Sequence, residues 1–175
     1  MTNTLYYGDN LDILREHIPD ASVDLIYLDP PFNSNRSYNV LVREVNGVTE
    51  SAAQIRAFED TWQWDAHTEA AFHEIARTCP PKLVDMLNGF VGFLGRNEMT
   101  AYLVMMAIRL VELHRVLKPT GTLFLHCDPT AGHYLKIMLD VVFGKDRMIN
   151  EIIWKRTSAH NDPNQCGRVH DVIFW

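Results

Sequence analysis

The chain has no long apolar run that is clear of charge. Its most apolar long stretch, Met99 to Leu117, carries Arg109, Glu112, His114 and Arg115. It therefore reads as a helix of a packed domain and not as a membrane span. Cysteine is sparse: Cys79, Cys127 and Cys166 are scattered, without the paired spacing of a zinc site or a disulfide framework. They are expected to be reduced structural thiols. Positive charge is also short, since 16 Lys and Arg stand against 22 Asp and Glu, for a formal net charge of −6. Composition thus gives no support to nucleic-acid binding, which would have to come from a local field at a contact face. The N-terminus lacks a basic region followed by an apolar core, so no signal peptide is visible and a cytoplasmic location is expected. What remains, 47% hydrophobic and 22% charged over 175 residues, is ordinary for one globular domain with a real core.

The order of elements is α/β. Thr4 to Asp9 reads as a strand running into a turn, and Asp9 or Asn10 can cap a short helix with Leu11, Leu14 and Ile18 on its apolar face. Val23 to Leu28 reads as a buried strand, and this strand-helix-strand start predicts neighbouring parallel strands. Residues 33–39 read as a polar loop beside the strand's end. Glu69 to Arg77 and Cys79 to Arg96 read as helical, part of an insertion over 39–98. Asn97 is a cap for a helix over Met99 to Leu117, with Leu103, Met106, Ala107, Leu110 and Val111 inward and Arg109, Glu112 and Arg115 outward. Lys118 to Gly121 is a turn and Thr122 to Asp128 a second core strand. Asp128-Pro129 then opens a helix through Val142, closed by Gly144. Two more strands, Asn150 to Lys155 and Val169 to Trp175, flank a polar loop. His67 and His73 stand near Glu69 and Glu74 without tight ligand spacing, so no metal is assigned.

The stretch that organises the chain is Val23 to Phe32. Its strand ends abruptly at Asp29-Pro30-Pro31, where two prolines prevent further ladder pairing and hold the preceding residues extended. Taken alone, the tripeptide fits a chain-reversing turn. It equally fits a stiff platform at the carboxyl end of a strand, where open α/β sheets bind ligands. The aromatic and amide that follow, Phe32-Asn33, favour the platform.

Asp29-Pro30-Pro31-Phe32 resembles the catalytic motif of the amino-group DNA methyltransferases, which act on N6 of adenine or N4 of cytosine. An exocyclic amino nitrogen is a poor nucleophile because its lone pair is delocalised into the base. A carboxylate (Asp29) and a carbonyl (Pro30) accepting its two hydrogens favour a more tetrahedral nitrogen, and Phe32 can hold an extruded base. The resemblance extends to Tyr7-Gly8-Asp9, Leu117 to Phe124, Phe143 to Lys155 and His170 to Ile173. It implies a Rossmann-like fold dependent on S-adenosylmethionine, with Gly8, Asp9 and Asp29 near the cofactor. Asn33, Arg36, Lys155 and Arg156 are the candidate contacts to double-stranded DNA.

The branch it most resembles places the catalytic motif before a glycine-rich cofactor loop, and no such loop is present. Gly89 to Gly95 holds three glycines without the strand-loop-helix context that such a loop needs. The expectation is the N-terminal part of a methyltransferase domain over 1–175, supplying about five strands of a larger sheet and an edge left to pair. N6-adenine methylation within a restriction-modification system is the first reading, and N4-cytosine methylation the near alternative. A third is a truncated, inactive module that touches DNA or self-associates. A homo-oligomer or a restriction-modification partner subunit is expected, and no membrane.

Overall fold

The computed structural model describes residues 3–30, 62–157 and 169–175, together with the backbone of strands at 38–41 and 54–58. Its centre is helix α4 (Glu98–Val116), which is buried on nearly every side from Thr100 to Val116. Asn97 closes its start with a capping box: its side chain accepts from Thr100 N at 3.1 Å, while Thr100 Oγ1 accepts from Asn97 N at 2.9 Å. The residues expected to point outward are part-exposed and tied into ion pairs. Arg109 grips both carboxylate oxygens of Asp9 at 2.7 and 2.8 Å, and Arg15 joins Glu112 at 3.2 Å. Arg115 pairs with Glu112 and Asp20 and donates to the carbonyls of Leu14 and Ile18. These charges clamp helix α1 (Asn10–His17) onto α4. The polar stripe of α4 therefore marks a charged helix contact rather than a solvent face.

Three further helices pack around α4. Helix α2 (Ala66–Thr78) starts at the Asp65 cap, and α3 (Pro81–Leu94) has proline in its first turn, where a missing N–H costs nothing. Leu83, Leu87 and Phe90 are its buried residues. Helix α5 (Pro129–Leu139) is capped by Asp128, whose side chain accepts from Thr130 N at 2.8 Å. It passes through a wider turn at Asp140–Gly144, and Gly144 ends it at φ +99°, a conformation that glycine adopts without penalty.

Strands β1 (Val23–Leu28), β4 (Leu117–Cys127), β5 (Glu151–Lys155) and β6 (His170–Phe174) form one sheet in the order β1-β4-β6-β5. β1 and β4 run parallel, with Leu28 beside Leu125, and β6 runs antiparallel between β4 and β5. The expected turn at 118–121 survives as a bulge within β4: Val23 faces Leu117, yet Leu25 faces Thr122. Alternation sends Ile26, Leu125, Cys127, Val172 and Phe174 into the helical core. Leu25, Tyr27, Trp154 and Trp175 lie on the other face and are exposed.

Two further expectations are corrected. Thr4 to Asp9 forms no strand; Leu5 is 96% exposed, and an extended segment without a neighbour has no ladder to stabilise it. Between β1 and α2, strands β2 (Tyr38–Leu41) and β3 (Gln54–Phe58) pair antiparallel as a separate two-stranded sheet, which sequence pattern did not indicate. Among the described residues no helix is long and apolar enough to cross a membrane.

Candidate active site

β1 delivers Asp29 and Pro30 to the carboxyl end of the sheet. The Asp29 side chain is 71% exposed there. Beneath it, fully buried Tyr102 of α4 directs its hydroxyl to the Pro30 carbonyl at 3.4 Å. Burial raises the Tyr102 phenol well above its ordinary range, so it is a neutral donor at any physiological pH. The Trp62 ring lies against Tyr102 with centroids 5.7 Å apart. The carbonyl expected to face a substrate amine is thus backed by a rigid aromatic pair. Pro31, Phe32, Asn33 and Arg36 lie outside the described residues.

The parallel register sets His126 of β4 beside Asp29, with Nδ1 4.0 Å from Asp29 Oδ1. Tyr27 Oη is 3.3 Å from the same nitrogen. On the other side of the ring, Nε2 lies 3.1 Å from Asp171 Oδ2 of β6, and Asp171 Oδ1 accepts from Arg156 Nη1 at 3.2 Å. A line of polar groups therefore crosses the strand ends from Asp29 through His126 and Asp171 to Arg156. Sequence reasoning did not find Asp171 or Tyr27 and assigned His126 no role. The signal was thin: each is polar or amphipathic within a strand, and their meeting depends on β6 inserting beside β4.

Asp128, like His126 a neighbour of Cys127, serves as the α5 cap. Cys127 lies on the core face, where burial pushes its thiol up to about 12; Cys79 and Cys127 are free thiols. Lys155 is exposed near the end of β5, while Arg156 is committed to Asp171. The two expected basic contacts are therefore not equivalent. An open cleft of about 600 Å³ lies near the start of α5, lined by Gln63, Trp64, Arg96, Glu98 and Thr130 among others. Arg96 covers the Trp64 ring at 5.2 Å and pairs with Glu69 at 3.2 Å.

The residues expected at a cofactor fit only in part. Gly8 adopts φ +145°, which leaves the backbone before α1 open to close approach. Asp9 is engaged twice, by the Leu11 N–H that it caps at 2.8 Å and by Arg109. Its carboxylate is therefore less available than expected, and Asp29 is the exposed acid of the set. Gly89 and Gly92 lie inside α3 and Gly95 is its C-cap, so this glycine run is a helix and not a ligand loop.

Comparison with known proteins bears on the same residues. The DNA methylase family matches residues 23–175. The Mod subunit of the type III restriction-modification enzyme StyLTI of Salmonella typhimurium is 28% identical over 157 residues, which is 88% of this chain and 20% of that protein. The EcoP15I Mod subunit of Escherichia coli is 22% identical over 97% of this chain and 23% of its own length. The type II methyltransferase M.EcaI of Enterobacter cloacae is 25% identical over 99% of this chain and 29% of its own length. The chain thus spans about a fifth to a third of the length of these curated relatives.

Proposed function

The chain belongs to the DNA methylase family, and from that premise we propose that it carries the methyl-accepting strand end of a site-specific DNA methyltransferase acting on N6 of a flipped adenine. The observation that supports this most is the pairing of an exposed Asp29 carboxylate with a Pro30 carbonyl braced by Tyr102. The two acceptors bind the hydrogens of an exocyclic amine and aim its lone pair outward, so that orientation and electrostatics lower the barrier. Phe32 follows on the chain as the aromatic for the extruded base, and Asn33, Arg36 and Lys155 as contacts to the strand. S-adenosylmethionine supplies the electrophilic methyl group when bound. On this reading Gly8 admits the donor's approach and Asp29 faces it. On the same reading the protein works on double-stranded DNA in the cytoplasm beside a restriction partner; the StyLTI and EcoP15I relatives are named as Mod subunits of restriction-modification enzymes.

N4-cytosine methylation uses the same two acceptors and is separated by the base that gains the label. The helical placement of Gly89 and Gly92 favours a non-enzymatic, DNA-touching or self-associating module, because it removes the one glycine run available for a cofactor loop. Labelled methyl transfer to DNA, measured with the whole reading frame that encodes the chain, separates these readings. Label on adenine is expected, and Asp29→Ala should lower the rate at least about 100-fold, the scale of losing one electrostatic contact to a reacting group. An unchanged rate in Asp29→Ala would remove Asp29 from the mechanism.

A further inference from the structure

His126 stands between two carboxylates with opposite surroundings. Asp29 is 71% exposed, whereas Asp171 is 11% exposed and already accepts from Arg156. The Asp171 carboxylate has only acceptors to offer, so His126 Nε2, 3.1 Å away, carries the hydrogen in the neutral ring. Nδ1 then keeps its lone pair, takes the Tyr27 hydroxyl at 3.3 Å, and faces Asp29 at 4.0 Å. The groups facing the ring are Tyr27 and Asp29 from β1, Asp171 from β6 and, behind it, Arg156 after β5. Cys127 and Asp128, its neighbours on β4, are turned to the core and to the α5 cap. A histidine with a purely structural role would be satisfied by Asp171 alone.

We propose that His126 is a relay acting through Asp29: it takes at Nδ1 the proton that the carboxylate collects from the methylated amino group and holds it against Asp171. The proposal rests on the methyltransferase reading and adds the fate of the proton to it. The amino nitrogen forms the new N–C bond as the methyl's bond to the donor sulfur breaks, the electron pair staying with sulfur. The nitrogen is now cationic, and one N–H bond gives its proton to Asp29 while the bonding pair returns to nitrogen. The Tyr27 hydroxyl turns off Nδ1 and Asp29 passes the proton to that freed lone pair; the ring becomes an imidazolium balanced by Asp171, and solvent takes the proton when the site opens. A base seated over Asp29 shuts that carboxylate off from water, so an exit through the ring is what lets it ionise again. The transfer requires the exposed Asp29 side chain to turn and close the 4.0 Å separation.

The test is multiple-turnover methyl transfer against pH, for the protein in its whole reading frame and for His126→Gln and His126→Ala. In the unsubstituted protein the rate should fall about tenfold per pH unit on the acid side, because an imidazolium cannot accept the proton. His126→Gln retains a donor for Asp171; it should lose that limb and slow by about tenfold or more. Added imidazole should restore much of the rate to His126→Ala. In parallel, the His126 ring is followed by NMR at fixed pH, where Asp29→Asn should move the Nδ1 resonance by changing the group that faces it at 4.0 Å. An undiminished rate with the acid limb intact in His126→Gln overturns the relay, as does a ring resonance indifferent to Asp29→Asn. That second measurement decides if both histidine variants fail to fold, since Asp29 is exposed and its amide is tolerated. No transfer by the unsubstituted protein overturns the function, and the relay with it. A persisting response of His126 to Asp29→Asn would then mark that failure as one of function rather than of geometry.

Discussion

Tyr102 brings a buried hydroxyl to the back of the Pro30 carbonyl, and at 3.4 Å the contact orients more than it binds. A carbonyl oxygen has two lone pairs, so donation from Tyr102 leaves the second for a substrate amine. Tyr102→Phe keeps the ring against Trp62 and removes only the donor. It should cost about 1 kcal/mol of stability, read from urea unfolding, because a net buried hydrogen bond is of that size. It should also lower first-turnover methyl transfer by less than tenfold, since the Asp29 acceptor remains. A stability loss with transfer unchanged would show that the carbonyl holds its direction from the two prolines alone. At this scale the sequence was most readable where a residue type has a narrow range of physical uses. Asp29 and Pro30 stood out because a carboxylate followed by two prolines stops a strand and leaves two acceptors at its end. The His126–Asp171 pair did not, because neither residue announces its partner 45 positions away.

The elements that were legible carry their own local signals. Asn97 and Asp128 mark helix starts because their side chains accept from orphan N–H groups, and Pro129 because it lacks an N–H where none is needed. β5 and β6 were legible as short runs rich in β-branched and aromatic residues. What misled was pairing, which is not local. Thr4 to Asp9 looks like a strand yet meets no ladder, and the charged stripe of α4 looks like a solvent face yet meets α1. Strands β2 and β3 lie among polar residues with no clean alternation. The β4 bulge combines both kinds of information. Its turn residues Lys118 to Gly121 were readable, but continuation of the strand through them depends on the parallel contact with β1. Gly121 is the tight point: an added Cβ would lie 2.7 and 2.9 Å from Leu117 Cδ1 and Cγ and 3.0 Å from the Lys118 carbonyl. Gly121→Ala should therefore destabilise by about 1–3 kcal/mol, the usual range for overpacking. A urea midpoint unchanged by this substitution would show that Leu117 can swing clear.

Across the whole molecule, the groups whose protonation the fold controls most are in the core beneath the site. Burial pushes the Cys127 thiol from an ordinary 9.0 up to about 12 and raises the Tyr102 phenol above its ordinary 10.0. Half-buried Cys79 shifts the same way. In each case the folded chain holds its proton more tightly than the unfolded chain does. The stability that follows is fully present below the unfolded pKa and is lost as pH rises towards the folded one. The urea midpoint should therefore hold steady from pH 7 to about 8.5 and fall beyond it, each such group contributing up to about 1.4 kcal/mol per pH unit. Two effects overlap in that fall, because a chain with net charge −6 also repels itself more strongly once lysines lose their protons. Cys127→Ala separates them. It lowers the midpoint at every pH by removing a packed sulfur, but it leaves the surface charges as they were. Between pH 8.5 and 9, a full unit or more below the ordinary 10.0 of Tyr102 in the unfolded chain, the variant should lose stability with a visibly smaller slope. Parallel curves for the two proteins would place the alkaline loss in surface repulsion and not in the thiol buried beneath the strand end.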